Sequence, residues 1–175
     1  LAEAVAHRGS ALLDPVSRGK ALLRASNYRR TAEFFLAPED PRRIDSYQFC
    51  QENFYAGLTC LGVDFTRSRV QYEDAEMETI FLRSPASENN DVLVVHGGFD
   101  STPEELYFTI GAAAIERGYH ALIWEGPGQG NLLRRYGRPF THEWEKPVSV
   151  ALDSLTTHCT PGAVLFSPRH PFRSR

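Results

Sequence analysis

Val92-Leu93-Val94-Val95-His96-Gly97-Gly98-Phe99-Asp100-Ser101-Thr102-Pro103-Glu104-Glu105-Leu106 is the stretch that decides the fold. Its first four residues, entered from Asp91, are a continuous β-branched and aliphatic run, as in a strand covered on both faces. Its last six mark a helix start. Ser101 or Thr102 serves as the N-cap, Pro103 fits the first helical position, and Glu104-Glu105 supply an acidic first turn. Leu106, Ile110, Ala113 and Ala114 then share one face, and Gly118 suits the residue just past the helix end. His120-Ala121-Leu122-Ile123-Trp124 reads as a second strand and runs into Gly126-Pro127-Gly128-Gln129-Gly130. Strand, helix and strand within about 35 residues make a βαβ unit and predict an α/β fold with a parallel sheet.

Upstream, residues 1–62 read as helical. Residues 15–36 carry Ala21, Leu22, Ala25, Tyr28, Ala32 and Phe35 near helical spacing. The prolines Pro38 and Pro41 break that helix. Asp45-Ser46 would cap a second one, with Phe49, Phe54 and Leu58 on its face. The period then changes. Residues 69–72 and 79–82 read as short strands around an acidic turn, Glu73 to Glu78, before a polar loop over residues 84–91. Downstream, a last helix starts near Pro147, with Val148, Ala151, Leu152 and Leu155 on one stripe. Residues 163–166 fit a fifth strand, and the surrounding Pro- and Arg-rich segment reads as a loose tail. The expected organisation is thus residues 1–62, a helical segment; 63–158, a partial α/β core; and 159–175, an irregular tail.

Composition narrows the function classes. The chain has 175 residues, 42% hydrophobic and 23% charged, which suits a folded globular domain and not a disordered one. The net charge of −3 comes with Arg29-Arg30, Arg42-Arg43 and Arg134-Arg135 only as pairs, so no nucleic-acid partner is expected. Three cysteines, Cys50, Cys60 and Cys159, form no disulfide framework and point to a reducing compartment. No apolar run reaches the roughly 20 residues that span a bilayer, and no basic-then-apolar stretch is visible near Leu1, so no signal peptide is expected. A cytoplasmic location without membrane contact is therefore the default expectation.

Two loops carry the candidate chemistry. In His96-Gly97-Gly98-Phe99-Asp100, the absence of Cβ atoms at two positions lets backbone N–H groups face a ligand. Two glycines after a strand also fit a tight turn in which glycine supplies φ > 0. The second loop, with Gly126, Gly128 and Gly130, follows a strand end, where ligands bind in open α/β sheets. A rigid turn is the simpler reading there, and no contact by Gln129 is expected. Nucleotide binding fails on spacing: GxGxxG is absent from the first loop, and GxxxxGK[ST] is absent from the chain. It also fails on charge, because Glu104 and Glu105 occupy the turn a phosphate would approach. No metal is expected. His142-Glu143 lacks the second His of HExxH, and His158-Cys159 is an isolated pair. No cofactor is expected either.

Taken together, His96 to Phe108, Glu116-Arg117-Gly118-Tyr119 and Trp124 to Gly130 resemble one family. It is the α/β-hydrolases of the fungal polyketide-shortening group (yellowish-green-type heptaketide hydrolases), related to dihydroxypseudooxynicotine hydrolase. Leu23-Arg24-Ala25-Ser26-Asn27-Tyr28-Arg29 and Phe34-Phe35-Leu36 resemble that group's N-terminal helical segment. The match covers roughly residues 15–157. The resemblance implies a doubly wound hydrolase sheet with a helical cap, and a serine nucleophile attacking a carbonyl. It implies hydrolysis of C–C or ester bonds in polyketide-like small molecules of secondary metabolism. In this chain, Gly98 or Phe99 would donate an N–H to the oxyanion hole. His96, Gly97, Asp100, Gly126, Gly128 and Gly130 would form the surrounding loops. Glu125 stands where the family pattern has Asp.

The family continues past the 147–157 helix into a strand, a G-x-S-x-G elbow, an Asp and a His. No G-x-S-x-G occurs in this chain. Ser167 lacks both glycines, and Pro168 has no N–H for the second oxyanion donor. His170 lies too near in sequence for the family's triad. No catalytic residue is therefore assigned, and the chain is expected to be an inactive amino-terminal portion of a hydrolase. Strand 92–95 would then carry an open apolar edge. The rival readings are a non-catalytic module binding a small molecule, and a half-enzyme completed by a partner chain.

Overall fold

A computed structural model describes residues 1–166; Ser167, Pro168 and His170 lie outside the described residues. The chain divides into two compact units, Leu1–Asp64 and Phe65–Arg175.

The first unit is three helices: α1 (Ala2–Ser10), α2 (Pro15–Phe34) and α3 (Arg42–Cys60). Asp14 caps α2, its carboxylate accepting the Ser17 N–H at 2.7 Å, with Pro15 in the first turn. α2 and α3 approach closely at two glycines. A Cβ on Gly19 would sit 2.9 Å from the Gly57 carbonyl oxygen, and one on Gly57 would sit 2.8 Å from Leu23 Cδ2. Ala21, Leu22 and Ala25 pack with Tyr47, Cys50, Phe54 and Leu58 as the buried core.

The apolar stripe expected along α2 stops early. Tyr28 and Phe35 are exposed, at 41% and 79%, and Ala32 is exposed too, while the charged Glu33 is fully buried. Glu33 accepts from Arg30 Nη1 at 3.1 Å and from Arg43 Nε at 2.6 Å. Two guanidinium groups replace the water lost by the carboxylate, which makes its burial tolerable. Glu33→Ala leaves both arginines without that partner, and is expected to destabilise the helical unit by about 3 kcal/mol. Urea unfolding followed by far-UV circular dichroism measures it, and a loss below about 1 kcal/mol contradicts the argument. The start of α3 also departs from expectation. Asp45 and Ser46 lie inside the helix, and Asp40 holds its entrance by accepting the Arg42 N–H at 2.9 Å. The hydrogen bonds to Arg42 hold the Asp40 carboxyl down at about 2.

The second unit is built on a five-stranded sheet. Its strands are β1 (Phe65–Tyr72), β2 (Ala75–Leu82), β3 (Val92–Val95), β4 (His120–Trp124) and β5 (Val164–Phe166), in spatial order β1-β2-β4-β3-β5. The α/β fold class of the sequence is observed. The parallel part is β4-β3-β5, and an antiparallel hairpin, β1-β2, extends it alongside β4. The hairpin strands are longer than the sequence indicated, because Tyr72 pairs with Ala75 and only Glu73-Asp74 turn. Glu73 adopts φ +53°, a conformation usually left to Gly or Asn in two-residue turns. The edge of β3 is not open: Val92, Leu93 and Val94 pair with Val164, Leu165 and Phe166. The fifth strand thus lies within the segment read as a tail.

Helices cover both faces of the sheet. On one face, α6 (Gly130–Arg134) and α7 (Glu145–Leu155) bury Met77, Phe81, Val92, Val94, Leu122 and Trp124 beneath Leu132, Ala151 and Leu155. On the other, α4 (Pro103–Leu106) continues through a π-helical turn, Tyr107–Gly111, into α5 (Ala112–Glu116). Gly111 passes so close that an added Cβ would lie 2.8 Å from Ile123 Cδ1. The two faces explain why residues 92–95 and 120–124 are apolar without alternation. No helix among the described residues is long and apolar enough to cross a membrane.

Candidate active-site loops

Strand order places the first loop. From β3 the chain crosses to β4 on one side, then returns over the sheet to β5 on the other side of β3. The carboxyl end of β3 is therefore the point where the winding reverses, and ligand sites of open α/β sheets form at such points. His96 to Asp100 leave the sheet there. Thr102 is the N-cap of α4, its Oγ1 accepting the Glu105 N–H at 3.4 Å, while Ser101 Oγ donates to Glu105 Oε1 at 3.2 Å.

The glycines do not act through φ. Neither Gly97 nor Gly98 has positive φ; Asp100 does, at +58°. Gly97 is required by space, since an added Cβ overlaps both Oγ and Cβ of Ser101. Around Gly98 an added Cβ meets nothing within 4 Å. Asp100 is held at its N–H by Gly128 O at 3.0 Å and at its carboxylate by Arg134 Nη2 at 2.8 Å. The Arg134 side chain is only 1% exposed.

The second loop is tied to the first. Gly130 N–H donates to Ser101 O at 2.9 Å, and Gly128 N–H to Arg138 O at 2.9 Å. Gln129, read from sequence as part of a turn without a contact, is 1% exposed. Its Oε1 accepts the Gly126 N–H at 2.8 Å, and its Nε2 donates to Gly97 O at 2.6 Å and Gly98 O at 2.9 Å. Gly98 and Phe99 are exposed, and their N–H groups meet no acceptor among the described residues. His96 lies between Trp124 and Trp144, with ring centroids 5.4 and 5.5 Å away, and its Nδ1 is 3.0 Å from Gly97 O.

Beside the second loop lies a carboxylate cluster the sequence did not reveal. Glu125 is fully buried, its oxygens accepting the Glu78 N–H at 3.2 Å and the Asn131 N–H at 2.7 Å. Glu78 takes a two-pronged ion pair from Arg67, both contacts at 2.7 Å, and the Asn131 side-chain amide at 3.0 Å. Burial first, and then the charges of Glu78 and Glu104, push the Glu125 carboxyl well above the usual range.

The remaining candidates are dispersed. Lys146 holds Glu143 at 2.6 Å, and His158 stacks on Phe81 at 4.8 Å. No group of three His, Cys, Asp or Glu placed to hold a metal occurs among the described residues. An apolar cleft of about 280 Å³, lined by Leu93, Ile110, Ala113 and Leu165, includes no residue of either loop.

No family model matches the chain. Among curated proteins, it is 39% identical over 157 residues to hydrolase acrC of Aspergillus aculeatus, covering 80% of this chain and 37% of that protein. It is 36% identical over 168 residues to hydrolase LUC6 of a Fusarium species, covering 90% of this chain and 39% of the relative. It is 34% identical over 167 residues to the 20-hydroxy-prefusarin hydrolase FUS2 of Gibberella moniliformis, covering 91% and 40%. The chain thus spans about two fifths of the length of these relatives. The crystal structure of 2,6-dihydroxy-pseudo-oxynicotine hydrolase shares its fold, with a TM-score of 0.79 at 23% identity over 95% of this chain and 47% of that one. Sequence and fold agree: over the part it spans, the chain is similar in sequence to fungal hydrolases of the α/β-hydrolase type, and it shares the fold of the solved hydrolase.

Proposed function

We propose that this chain supplies the oxyanion side of a serine-type hydrolase site and has no hydrolase activity by itself. The observation that carries the reading is the pair of N–H groups on the exposed residues Gly98 and Phe99, which meet no acceptor among the described residues and lie at the carboxyl end of the strand where the sheet reverses. Such donors stabilise the oxygen of a carbonyl as it becomes negative during attack. The nucleophile, Asp and His of the reaction come from sequence outside this chain, which has no G-x-S-x-G. The substrate class of the whole enzyme is a polyketide-like small molecule with a cleavable ester or C–C bond.

Two measurements test this. Incubated with a fluorophosphonate probe, the full chain is expected to show no covalent adduct by mass spectrometry, and an adduct on any serine overturns the absence of a nucleophile. Acetate titrated into ¹⁵N-labelled chain is expected to move the Gly98 and Phe99 amide signals more than those of any other loop. Signals that stay still overturn the oxyanion assignment.

A further inference from the structure

We propose that Gln129 is the positioning residue that aims both oxyanion donors, an inference that rests on the functional reading above. A trans peptide sets its C=O and the next residue's N–H on opposite sides. The peptide that contains Gly97 O therefore also carries the Gly98 N–H, and the one that contains Gly98 O carries the Phe99 N–H. One carboxamide draws both carbonyls toward the buried 126–130 turn, at 2.6 and 2.9 Å. Both N–H groups then face the other way, toward the exposed side of the loop.

The orientation of this carboxamide is dictated by its partners. Oε1 meets an N–H, that of Gly126 at 2.8 Å, and Nε2 meets two carbonyls. The reversed amide would set oxygen against two oxygens and an NH₂ against an N–H. Burial removes competing water, so the clamp is not exchanged for solvent. Two further contacts act on one peptide each: Ser101 N–H donates to Gly98 O at 3.3 Å, and His96 Nδ1 lies 3.0 Å from Gly97 O. Among the described residues, Gln129 alone reaches both. Asp100 and Arg134 anchor the far end of the loop, beyond these two peptides.

The test uses the full chain and NMR. In the wild type, the Gln129 side-chain NH₂ protons are expected to exchange with water about 30-fold more slowly than those of an exposed glutamine, from two retained hydrogen bonds. In Gln129→Met, which keeps the length and removes the donors, the Gly98 and Phe99 amides are expected to become mobile, with order parameters falling from about 0.85 to below 0.6. The Ser101 amide, at the capped start of the helix, is expected to stay rigid, which separates aiming from general loosening. The acetate response of Gly98 and Phe99 is expected to drop about 30-fold in this variant, as for a lost pair of hydrogen bonds. Fast Gln129 NH₂ exchange in the wild type, or unchanged order at Gly98 and Phe99 in the variant, overturns the clamp. If the variant does not fold, the wild-type exchange rate decides alone. A protected Gln129 with no acetate response would leave the clamp standing and sink the oxyanion reading, so the two failures are distinguishable.

Discussion

Gly97→Ala is expected to destabilise the sheet unit by about 3 kcal/mol, the upper range for forcing a methyl group into a filled site. The new Cβ would occupy the place of Ser101 Oγ and Cβ. Turning the Ser101 hydroxyl away does not help, because Ser101 Cβ is itself in the way. Ser101 cannot retreat either. It is 6% exposed, its N–H is bonded to Gly98 O and its carbonyl receives the Gly130 N–H. Relief must come from the backbone, at the expense of the bonds that join the two loops. Gly98→Ala is the control: the space around it is open and its φ is not in the left-handed region, so a change within about 0.5 kcal/mol is expected. Chemical denaturation followed by tryptophan fluorescence reports this unit, since Trp124 and Trp144 both lie in it. The double variant Gly97→Ala/Ser101→Gly removes the obstructing atoms, and is expected to recover at least about 1 kcal/mol relative to additivity. Equal losses at positions 97 and 98 would show that loop entropy, and not the Ser101 contact, governs the site.

The contrast between those two glycines shows where a sequence stops being legible. His96-Gly97-Gly98-Phe99-Asp100 announces a backbone-lined loop, but its two glycines look alike, and only the position of Ser101 in space separates them. The βαβ unit was readable because its signals are local. An apolar run, a Thr-Pro-Glu-Glu helix start and a helix-ending Gly118 each lie within a few residues of what they determine. Gln129 was not readable, since its partners Gly97 and Gly98 are about thirty residues away and a polar side chain after a glycine reads equally well as exposed turn. The burial of Glu33 and Glu125 carries no local signal for the same reason: a carboxylate looks like a surface residue until the arginines or backbone N–H groups that bury it are brought alongside. The hairpin turn at Glu73-Asp74 lacks the glycine that normally signals such turns, so the strands beside it were read short.

Glu125→Ala is expected to cost about 3 kcal/mol, and the pH dependence of that site carries a definite sign. The carboxylate is the acceptor for two buried N–H groups, those of Glu78 and Asn131. Leaving buried donors unpaired costs roughly 1–3 kcal/mol each. The backbone of Gly130, at φ +39°, wraps so tightly around Glu125 Oε2 that a Cβ there would overlap it, which leaves little room for side chains to close the gap. The carboxyl of Glu125 is raised in the folded state, first by burial and then by Glu78 and Glu104. The folded protein therefore holds this proton more tightly than the unfolded chain does. Its contribution to stability is fully present below the ordinary glutamate value of 4.5 and is lost as pH rises through the elevated folded value. Glu125→Gln removes the titration while keeping one acceptor and the shape of the side chain. Its own offset in stability does not vary with pH. The wild type is thus expected to lose ground steadily against Glu125→Gln as pH rises from 4.5 through the elevated folded value, measured as the difference in unfolding free energy across a pH series. Parallel profiles for the two proteins would mean that Glu125 ionises normally within the fold, with Arg67 offsetting more of the cluster's charge than its direct pairing with Glu78 indicates. A difference that still changes above pH 7, by contrast, would place a proton on Glu125 at neutral pH.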